Sequence, residues 1–393
     1  MRIIQINASY KPAYIYGGPT MSVSRLSEEL IRSGIDTEVY TTTANGVTEL
    51  QVRAGAKTLV ENVPVTYFSR ITKGNSHFSP SLLYSLFTVL HSDFNQKKFS
   101  ASTVLHIHAW WNLVSVGSCM IALLLSRTVL LSPRGTLSNY SFGNRKSGVK
   151  KIFHHLIGKY LLKKCHFHVS TMKEKEDILR LINPKSITTI ANLVSLQQDL
   201  APVNPGEQEF LRNDLRIIFL SRVEEKKGLD VLFNALAEVK FPFKLTIAGD
   251  GERAYTSSLK SLASRLGLTD KIDWIGNQEN SQKFSLLASH DLMVLTSHDE
   301  SFANVVIESL SVGTPVLISD GVGLADFVIS KNLGWVSSNK QEELIRTLTI
   351  AFNSKAQREV IREKAPEQIA IHFNDEKLIA EYQQLYRSLL KDV

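Results

Sequence analysis

Two glutamates stand eight residues apart in HDESFANVVIES, residues 298–309, and paired carboxylates can do several kinds of chemistry. They can act as a general acid and base, bind a metal, accept hydrogen bonds from sugar hydroxyls, or simply lie on the solvent-exposed face of a helix. The strand-like DLMVLTS precedes the pair, and the helix-like VVIESL contains its second member. The pattern therefore places Glu300 at the tip of a loop and Glu308 about two helical turns further on.

The N–H groups of Ser301, Phe302 and Ala303, at the end of the loop, lie where the first turn of this predicted helix leaves donors unsatisfied. Backbone N–H groups in the first turn of a helix lack partners within the helix, so they attract anions. Two turns rise only about 10 Å, and both carboxylates can therefore contact one extended ligand whose anionic part meets these three amides. A loop acid and an unrelated, solvated helix acid are the alternative interpretation.

A second group with anion-binding chemistry is SRVEEKKGLDVL, residues 221–232, directly after the strand-like IIFL. Arg222 and Lys227 stand at the end of this strand and near the start of a helix. Cationic side chains and backbone N–H groups can converge on a phosphate at such a place. The alternative is a surface loop with scattered charge, and the spacing alone does not decide between the two.

Two shorter segments of the N-terminal half also contain groups that suit a phosphate. In YGGPT, Gly17 and Gly18 allow backbone N–H groups to approach an anion at the start of the first helix, although a plain turn would use the same residues. In SPRGT, Arg134 lies past another predicted strand end, where it could recognise an acceptor or a phosphate.

No Asp-x-Asp occurs, and CHFH at 165–168 lacks a second ligand pair at zinc spacing, so we predict no metal site.

Strand and helix patterns alternate in both halves of the chain, which is typical of doubly wound α/β domains. We predict an N-terminal Rossmann-like domain over residues 1–195 and a C-terminal one over residues 213–369, joined by a polar linker with two prolines. An amphipathic helix over about 370–393 should pack back on the first domain. Ligands bind at the carboxyl ends of strands in such sheets, so a cleft between the domains is the expected site.

The chain of 393 residues has a net charge of +7, but its halves differ in sign. Residues 1–195 contain 23 Lys and Arg against 10 Asp and Glu, and residues 196–393 contain 22 against 28. The halves should therefore face different partners.

Only two cysteines and no leader pattern favour a cytoplasmic location, and the most apolar stretch, 116–132, is too short to span a bilayer. No nucleic-acid recognition motif accompanies the positive charge.

The segment GNRKSGVKKIFHHLIGKYLLKK, residues 143–164, contains seven Lys and Arg and no acid. Ile152, Phe153, Leu156 and Tyr160 are among its apolar residues at helical spacing. One interpretation is a core helix with a solvated back. The other is a surface that docks on anionic lipid headgroups, where each cation near the surface contributes about 1 kcal/mol.

The motifs of the C-terminal half together resemble the family 4 (group 1) retaining glycosyltransferases of the GT-B class. That family carries an Arg-x4-Lys-Gly segment, and it carries a Glu-x7-Glu motif followed by a small-Gly-x-Pro-Val strand. Here they read RVEEKKG at 222–228 and ESFANVVIE with GTPVL at 300–317. The Gly-Gly loop, the HIHAW segment and the AGDGE turn at 248–252 extend the resemblance over nearly the whole chain. SFA replaces the usual Gly-Phe-Gly after the first glutamate.

The resemblance implies roles for individual residues of the second domain. Arg222 and Lys227 would bind the donor diphosphate. Glu300, assisted by the backbone of 301–303, would bind hydroxyls of the transferred sugar. Glu308 would accept hydrogen bonds from the ribose hydroxyls, because a carboxylate is a bidentate acceptor suited to a vicinal diol.

The resemblance also implies roles for residues outside these two motifs. His108 corresponds to the active-site histidine near the transferred sugar, whereas His106 is expected to be buried in its strand. Gly17 and Gly18 would lie near the donor phosphate and the acceptor. The loop backbone around Ile275 would recognise the base.

The predicted function is that of a retaining glycosyltransferase that uses a nucleotide diphosphate sugar and needs no metal or other cofactor. We expect a glycan or lipid-linked saccharide as acceptor, in the assembly of bacterial capsule, exopolysaccharide or lipopolysaccharide. The protein would be cytoplasmic and peripheral at the inner face of the plasma membrane. A nucleotide-sugar epimerase of the same architecture and a catalytically silent sugar-nucleotide-binding subunit are the alternatives.

Overall fold

The computed structural model describes residues 1–74, 76–95, 102–143, 147–196, 214–278 and 280–391. The chain divides into two compact units, the first of Met1–Val194 and Asp375–Val393 and the second of Ser195–Asn374. Of the predicted linker over 196–213, all but the first residue lies outside the described residues. Each unit is an α/β structure with a mostly or wholly parallel sheet, as the sequence predicted.

The first unit is built around one large sheet. Its strands are β1 (Arg2–Ile6), β2 (Asp36–Thr42), β5 (Lys57–Val60), β6 (Val63–Phe68), β7 (Thr103–His108), β8 (Thr128–Ser132), β9 (His166–Val169) and β10 (Ser186–Thr189), and a separate short pair comprises β3 (Ala44–Asn45) and β4 (Thr48–Glu49). The order in the large sheet is β10-β9-β8-β7-β1-β2-β6-β5. Neighbouring strands are parallel except β5, which is antiparallel to β6.

Eight α-helices of the described residues belong to this unit. They are α1 (Gly18–Arg32), α2 (Pro80–Asn95), α3 (Leu113–Leu124), α4 (Asn139–Gly143), α5 (Ser147–Phe153), α6 (Lys159–Lys163), α7 (Met172–Leu181) and α15 (Asp375–Lys391). A π-helical turn over His154–Gly158 joins α5 to α6. None of the helices among the described residues combines the length and the hydropathy that crossing a membrane requires.

The second unit has a six-stranded sheet that is parallel throughout. Its strands are β11 (Leu215–Leu220), β12 (Phe243–Ala248), β13 (Ile272–Gly276), β14 (Leu292–Leu295), β15 (Val316–Ser319) and β16 (Gly334–Ser337), in the order β13-β12-β11-β14-β15-β16. Its helices are α8 (Leu229–Glu238), α9 (Arg253–Arg265), α10 (Asn280–Ala288), α11 (Asn304–Ser311), α12 (Ala325–Lys331), α13 (Gln341–Asn353) and α14 (Lys355–His372).

The central strands read as continuous apolar runs because both faces of each sheet are covered. In β1, Ile4 and Ile6 face a core shared with α2 and α3, whereas Ile3 faces α1 and α15. The last helix thus packs on the first unit through Leu378, Ile379, Tyr382, Leu385, Tyr386 and Leu389. It begins at Asp375 rather than near residue 370, because α14 continues to His372.

Close packing between loops of the second unit predicts that Gly228 tolerates no side chain. Gly228 has φ +65°, and a Cβ added there would lie 2.2 Å from the Thr296 carbonyl oxygen. Gly267 has nearly the same φ, +68°, with nothing within 4 Å of the added Cβ. We expect Gly267→Ala to lower the free energy of unfolding by about 1 kcal/mol through backbone strain. Gly228→Ala should lower it by a further 1–3 kcal/mol or so, because the steric conflict adds to the strain.

Urea unfolding of the two variants, followed by circular dichroism, measures both values. Since φ is nearly the same at the two positions, the difference between the two losses measures the contact with Thr296. Equal losses of stability would contradict the close approach of the two loops.

Candidate active site

Glu300 lies in the loop that follows β14, and this loop is fixed to the one that follows β15. The Glu300 N–H donates to the Gly321 carbonyl at 3.0 Å, and the Gly323 N–H donates to the Glu300 carbonyl at 2.8 Å. A Cβ on Gly321 would lie 2.6 Å from the His298 carbonyl oxygen, so the two loops are in direct contact. The backbone at Glu300 is therefore held by hydrogen bonds on both sides.

Lys227 and Glu300 form an ion pair between the loops that follow β11 and β14. The two strands are neighbours in the sheet, which brings together motifs that are about 70 residues apart in the sequence. The side chains are only 11% and 16% exposed, so each charge depends on the other for most of its stabilisation. The sequence pattern predicted separate contacts with a ligand, and the direct pairing of the two residues was not predicted.

Arg222 has a more accessible environment. Its guanidinium pairs with the Glu224 carboxylate at 2.7 Å, and the two side chains are 48% and 40% exposed. An exposed ion pair of this kind contributes at most about 1 kcal/mol, so a bound phosphate can compete with Glu224 for the guanidinium. The glycines of the AGDGE turn bring β12 close to this loop: added Cβ atoms on Gly249 and Gly251 would lie 2.0 and 1.9 Å from the carbonyl oxygens of Ser221 and Val223.

Glu308 lies on α11 and forms an ion pair with Lys283 of α10, at 2.8 Å between Nζ and Oε1. Both side chains are largely buried, with 14% of Lys283 and 12% of Glu308 exposed. Lys283 was not among the predicted site residues. Its position within a polar helical segment gives no signal of this contact, because the partner is 25 residues away in the sequence.

The predicted helix VVIESL matches α11 to within one residue, but the first turn does not reach the amides that were predicted to belong to it. Helix α11 begins at Asn304, so the amides of Ser301, Phe302 and Ala303 precede its first turn. The eight-residue spacing from Glu300 to Glu308 thus covers a loop and little more than one helical turn, rather than two turns. The cause is Ala303, which has left-handed backbone angles, φ 72° and ψ 80°, and interrupts the helical geometry before the N-terminus.

Phe302 anchors this loop in the core of the second unit. Its side chain is 2% exposed, and its ring meets that of Phe373 edge to face with 6.0 Å between centroids. Ser301 and Ala303, on either side, are partly exposed. The aromatic ring therefore holds the loop against the core, while the residues on either side of it stay partly exposed.

The predicted base-binding loop follows β13. Ile275 is 39% exposed. Beyond it, Asn277 and Asp250 exchange two hydrogen bonds: the Asp250 N–H donates to Asn277 Oδ1 at 3.1 Å, and the Asn277 N–H donates to Asp250 Oδ2 at 3.3 Å. These bonds join the loops that follow β12 and β13. Ile275 therefore lies next to a loop with a fixed position, although no described contact assigns it a ligand.

In the first unit, Gly17 is the N-cap of α1 and Gly18 is its first residue. Gly17 has φ 65° and ψ −136°, angles that favour glycine. Its N–H donates to the Tyr14 carbonyl at 2.9 Å. This bond removes one of the two amides that were predicted to face a phosphate, because the Gly17 N–H already has an acceptor within the preceding turn.

His108, the last residue of β7, is 1% exposed, and its Nε2 lies 2.6 Å from Gln5 Oε1. His106 is fully buried in the same strand, as predicted. Burial is the main cause that lowers the pKa of both imidazoles well below the ordinary value. Both rings are therefore neutral at neutral pH, and His108 can act as a hydrogen-bonding group rather than as a cation.

Arg134 follows β8 in a left-handed conformation, with φ 53°. Its guanidinium donates to Asn192 Oδ1 within the first unit, and its charge helps to lower the pKa of His168 to about 3, after the larger effect of burial. The side chain is half-buried.

Among the described residues, no three His, Cys, Asp or Glu side chains come together as a metal site would require.

The fold of the chain is a known one. The crystal structure of HepE from Anabaena, in complex with UDP and glucose, superposes with a TM-score of 0.74 at 17% sequence identity. The match covers 99% of this chain and 100% of that chain. The two doubly wound units thus have the GT-B fold that the sequence predicted.

Part of the sequence matches a known family. Residues 204–368 match the family described as glycosyl transferases group 1. N-acetyl-alpha-D-glucosaminyl L-malate synthase of Bacillus anthracis is 24% identical over 54% of this chain and 56% of that protein. The lipopolysaccharide core biosynthesis glycosyltransferase LpsE of Rhizobium meliloti is 28% identical over 44% of this chain and 49% of that protein. The chain thus spans about half the length of these relatives, and the predicted resemblance is confirmed.

The left-handed backbone of Ala303 leads to a stability prediction. Glycine adopts such angles without the steric cost that a Cβ imposes, so we expect Ala303→Gly to raise the free energy of unfolding by roughly 0.5–1 kcal/mol. Ser301 does not have a positive φ. Ser301→Gly should therefore give no gain and lower stability slightly, through the larger backbone entropy of the unfolded chain.

Chemical denaturation of the wild type and the two variants, followed by tryptophan fluorescence, tests this expectation. A loss of stability in Ala303→Gly, equal to that in Ser301→Gly, would show that the loop does not hold residue 303 in the left-handed conformation.

Proposed function

We propose that the protein is a retaining glycosyltransferase that moves a sugar from a nucleotide diphosphate sugar to an acceptor hydroxyl. The observation that carries the proposal is the Lys227–Glu300 pair at the carboxyl ends of β11 and β14, within the segment that matches the group 1 family. It joins a cation suited to a diphosphate to a carboxylate suited to sugar hydroxyls. A donor that carries both groups fits between them.

Donor binding exchanges the partners of this pair. The diphosphate replaces the Glu300 carboxylate at the Lys227 ammonium, and the released carboxylate accepts hydrogen bonds from hydroxyls of the transferred sugar. Arg222 leaves Glu224 for the same diphosphate. Two cations then lie where negative charge increases as the sugar–phosphate bond breaks, which lowers the barrier to that step.

Glu308 accepts hydrogen bonds from the vicinal hydroxyls of the nucleotide ribose. One of its oxygens is already held by Lys283 at 2.8 Å, and a carboxylate has enough lone pairs to accept further bonds. The lysine thus neutralises and orients the acid before the nucleotide arrives. The loop backbone near Ile275 contacts the base.

Retention of configuration needs no enzyme nucleophile in this scheme. The bond between the anomeric carbon and the phosphate oxygen breaks, and the acceptor oxygen bonds to the same face of the sugar through an oxocarbenium-like state. The acceptor proton passes to the departing phosphate oxygen. Retaining glycosidases use two carboxyl groups about 5 Å apart for the equivalent steps, whereas here Glu300 and Glu308 hold substrate hydroxyls.

The acceptor that we propose is a lipid-linked saccharide in the assembly of a bacterial surface polysaccharide. LpsE of Rhizobium meliloti, a relative of this protein, is named a lipopolysaccharide core biosynthesis glycosyltransferase, which supports this acceptor class. The basic first half of the chain also suits an acceptor with a pyrophosphate link. No cofactor beyond the donor substrate is required by these steps.

Lys227→Met and Glu300→Gln should each lower kcat/KM for transfer by about 10²–10³-fold, because each removes a group that acts on the reacting part of the donor. A radiolabelled nucleotide-sugar assay with extracted lipid-linked acceptor measures the rates. The matched control is Lys226→Met, because Lys226 forms a neighbouring ion pair between the same two loops, with Asp299 at 3.2 Å.

Wild-type turnover in Lys227→Met or Glu300→Gln would contradict the proposed site. Product analysis of the wild type without acceptor separates the alternatives. A nucleotide-sugar epimerase would release an epimer or free sugar, and a silent binding subunit would bind the donor without any turnover.

We further propose that the protein is peripheral to the inner face of the plasma membrane through an exposed surface of α5, the π-helical turn and α6. Ile152, Leu156 and Tyr160 are 63%, 75% and 62% exposed, so these apolar residues do not form part of the core. They lie four residues apart. A π-helical turn has more residues than an α-helical one, and the combination keeps residues at steps of four on one stripe.

A basic stripe runs beside the apolar one. Lys151, Lys159 and Lys163 are exposed and follow the same spacing. Apolar side chains flanked by lysines suit an anionic bilayer surface, where the apolar groups enter the headgroup region and the cations meet lipid phosphates. Arg145 and Lys146 of the predicted basic segment lie outside the described residues.

Charge reversal of Lys151, Lys159 and Lys163 to Glu should weaken binding to vesicles that contain phosphatidylglycerol by more than about 100-fold, since each cation near the surface contributes about 1 kcal/mol. Co-sedimentation measures the bound fraction. Reversal of Lys331, Lys355 and Lys364, exposed lysines of the second unit, changes the net charge equally and serves as control. Unaltered binding of the first variant would rule out this surface.

A further inference from the structure

A row of buried polar side chains crosses the face of the first sheet that α15 covers. Gln5 of β1, His106 and His108 of β7, Ser132 of β8 and His168 of β9 all lie on this face, and each is at most 1% exposed. They occupy the carboxyl ends of four neighbouring parallel strands. A polar row at this place needs an explanation, because burial of polar groups is unfavourable unless they are hydrogen-bonded.

The protons in the row can be assigned from one end. A backbone carbonyl only accepts, so His168 Nε2, 2.9 Å from the Ile190 carbonyl oxygen, must carry a hydrogen. In the neutral ring, Nδ1 is then the acceptor, and the Ser132 hydroxyl donates to it at 2.6 Å. Ser132 Oγ in turn accepts from His106 Nε2 at 2.6 Å. His106 Nδ1 is therefore an acceptor, and the Tyr386 hydroxyl donates to it at 2.8 Å.

The series of hydrogen bonds continues from Tyr386 of α15 to His108, the last residue of β7. Since the Tyr386 hydroxyl donates its hydrogen to His106, its oxygen faces the Gln5 Nε2 group, at 3.5 Å, as an acceptor. The other end of the amide, Gln5 Oε1, accepts from His108 Nε2 at 2.6 Å. His108 Nδ1 is then an acceptor, and this atom is buried and has no hydrogen-bond partner among the described residues.

The same hydrogen bonds cannot all run in the opposite direction. That direction would leave the acceptor lone pair of His168 Nε2 facing the lone pairs of the Ile190 carbonyl, unless His168 were charged. Burial and the charge of Arg134 lower the pKa of His168 to about 3, so the ring is neutral at neutral pH. One carbonyl oxygen thus determines the tautomer of a histidine three strands away in the sheet.

We propose that Gln5 and Tyr386 are positioning residues, which hold His108 as the Nε2–H tautomer so that its Nδ1 accepts a hydrogen bond from a sugar hydroxyl. A buried acceptor without a partner is unfavourable, and a hydroxyl donor supplies what it lacks. The chemistry selects a hydroxyl over a phosphate, because a phosphate oxygen offers no hydrogen to Nδ1. This inference rests on the proposed function for its ligand, but not for the tautomer itself.

The tautomer can be measured without any substrate. In protein labelled with ¹⁵N-histidine, two-bond ¹H–¹⁵N correlation spectra distinguish the Nε2–H from the Nδ1–H form, and His108→Asn identifies the resonances of His108. We expect the pure Nε2–H form in the wild type at neutral pH. A Nδ1–H or charged His108 would overturn the inference, whatever the enzyme does.

Variants test whether the two positioning residues are responsible. Gln5→Leu removes the acceptor of His108, and Tyr386→Phe removes the hydroxyl that orients Gln5, so both should give a mixture of tautomers. Gln5→Glu keeps an acceptor and should restore the Nε2–H form. The control is Tyr67→Phe, which removes another buried tyrosine hydroxyl of the same unit, one that donates to the Lys11 carbonyl. An unchanged tautomer in both Gln5→Leu and Tyr386→Phe would overturn the assignment of Gln5 and Tyr386.

Kinetics separate this inference from the proposed function. Gln5→Leu should lower kcat/KM for the donor by about tenfold, the loss expected for one hydrogen bond, and Tyr67→Phe should leave it unchanged. A mixed tautomer with wild-type kcat/KM would show that His108 Nδ1 meets no sugar hydroxyl. If the wild type turned over no nucleotide sugar while His108 kept the Nε2–H form, the proposed function would fail and the tautomer assignment would stand.

Discussion

The parallel arrangement of the strands is the constraint on which the candidate functional residues of each unit depend. Parallel neighbours all end at the same edge, so the loops that follow them lie side by side. In the second unit this brings the loops after β11 and β14 close enough for Lys227 and Glu300 to pair. In the first unit it aligns Gln5, His108 and Ser132 in one row. A single strand in the opposite direction would move its residue to the other edge.

The largely buried charges of the candidate site form two ion pairs. Lys227 with Glu300 and Lys283 with Glu308 are each mostly buried, and a buried charge without a partner would be strongly destabilising. These candidate ligand-binding groups are therefore held in contact with each other. A donor that binds must supply phosphate and hydroxyl groups that replace those contacts, which favours a ligand with both.

Much of the fold and part of the site could be predicted from the sequence. Alternating apolar strands and helices indicate two doubly wound units, and glycines and charges directly after strands indicate ligand loops. The pairing of Lys227 with Glu300 could not be predicted, because it depends on the order of strands in the sheet, which the sequence pattern does not contain. The amides of residues 301–303 were misplaced for a local reason: Ala303 has a helix-forming side chain but a left-handed backbone, so these amides precede α11.

Long-range contacts explain why Gln5 escaped prediction altogether. In the sequence it is one polar residue within an apolar strand, and its partners His108 and Tyr386 lie 103 and 381 residues away. The helix that carries Tyr386 was expected only to cover apolar surface. Its tyrosines cover that surface with their rings, and their hydroxyls reach the polar row beneath, since His168 Nε2 lies 3.0 Å from the Tyr382 hydroxyl. One amphipathic helix thus closes the core of the first unit and completes the hydrogen bonding of the buried polar row.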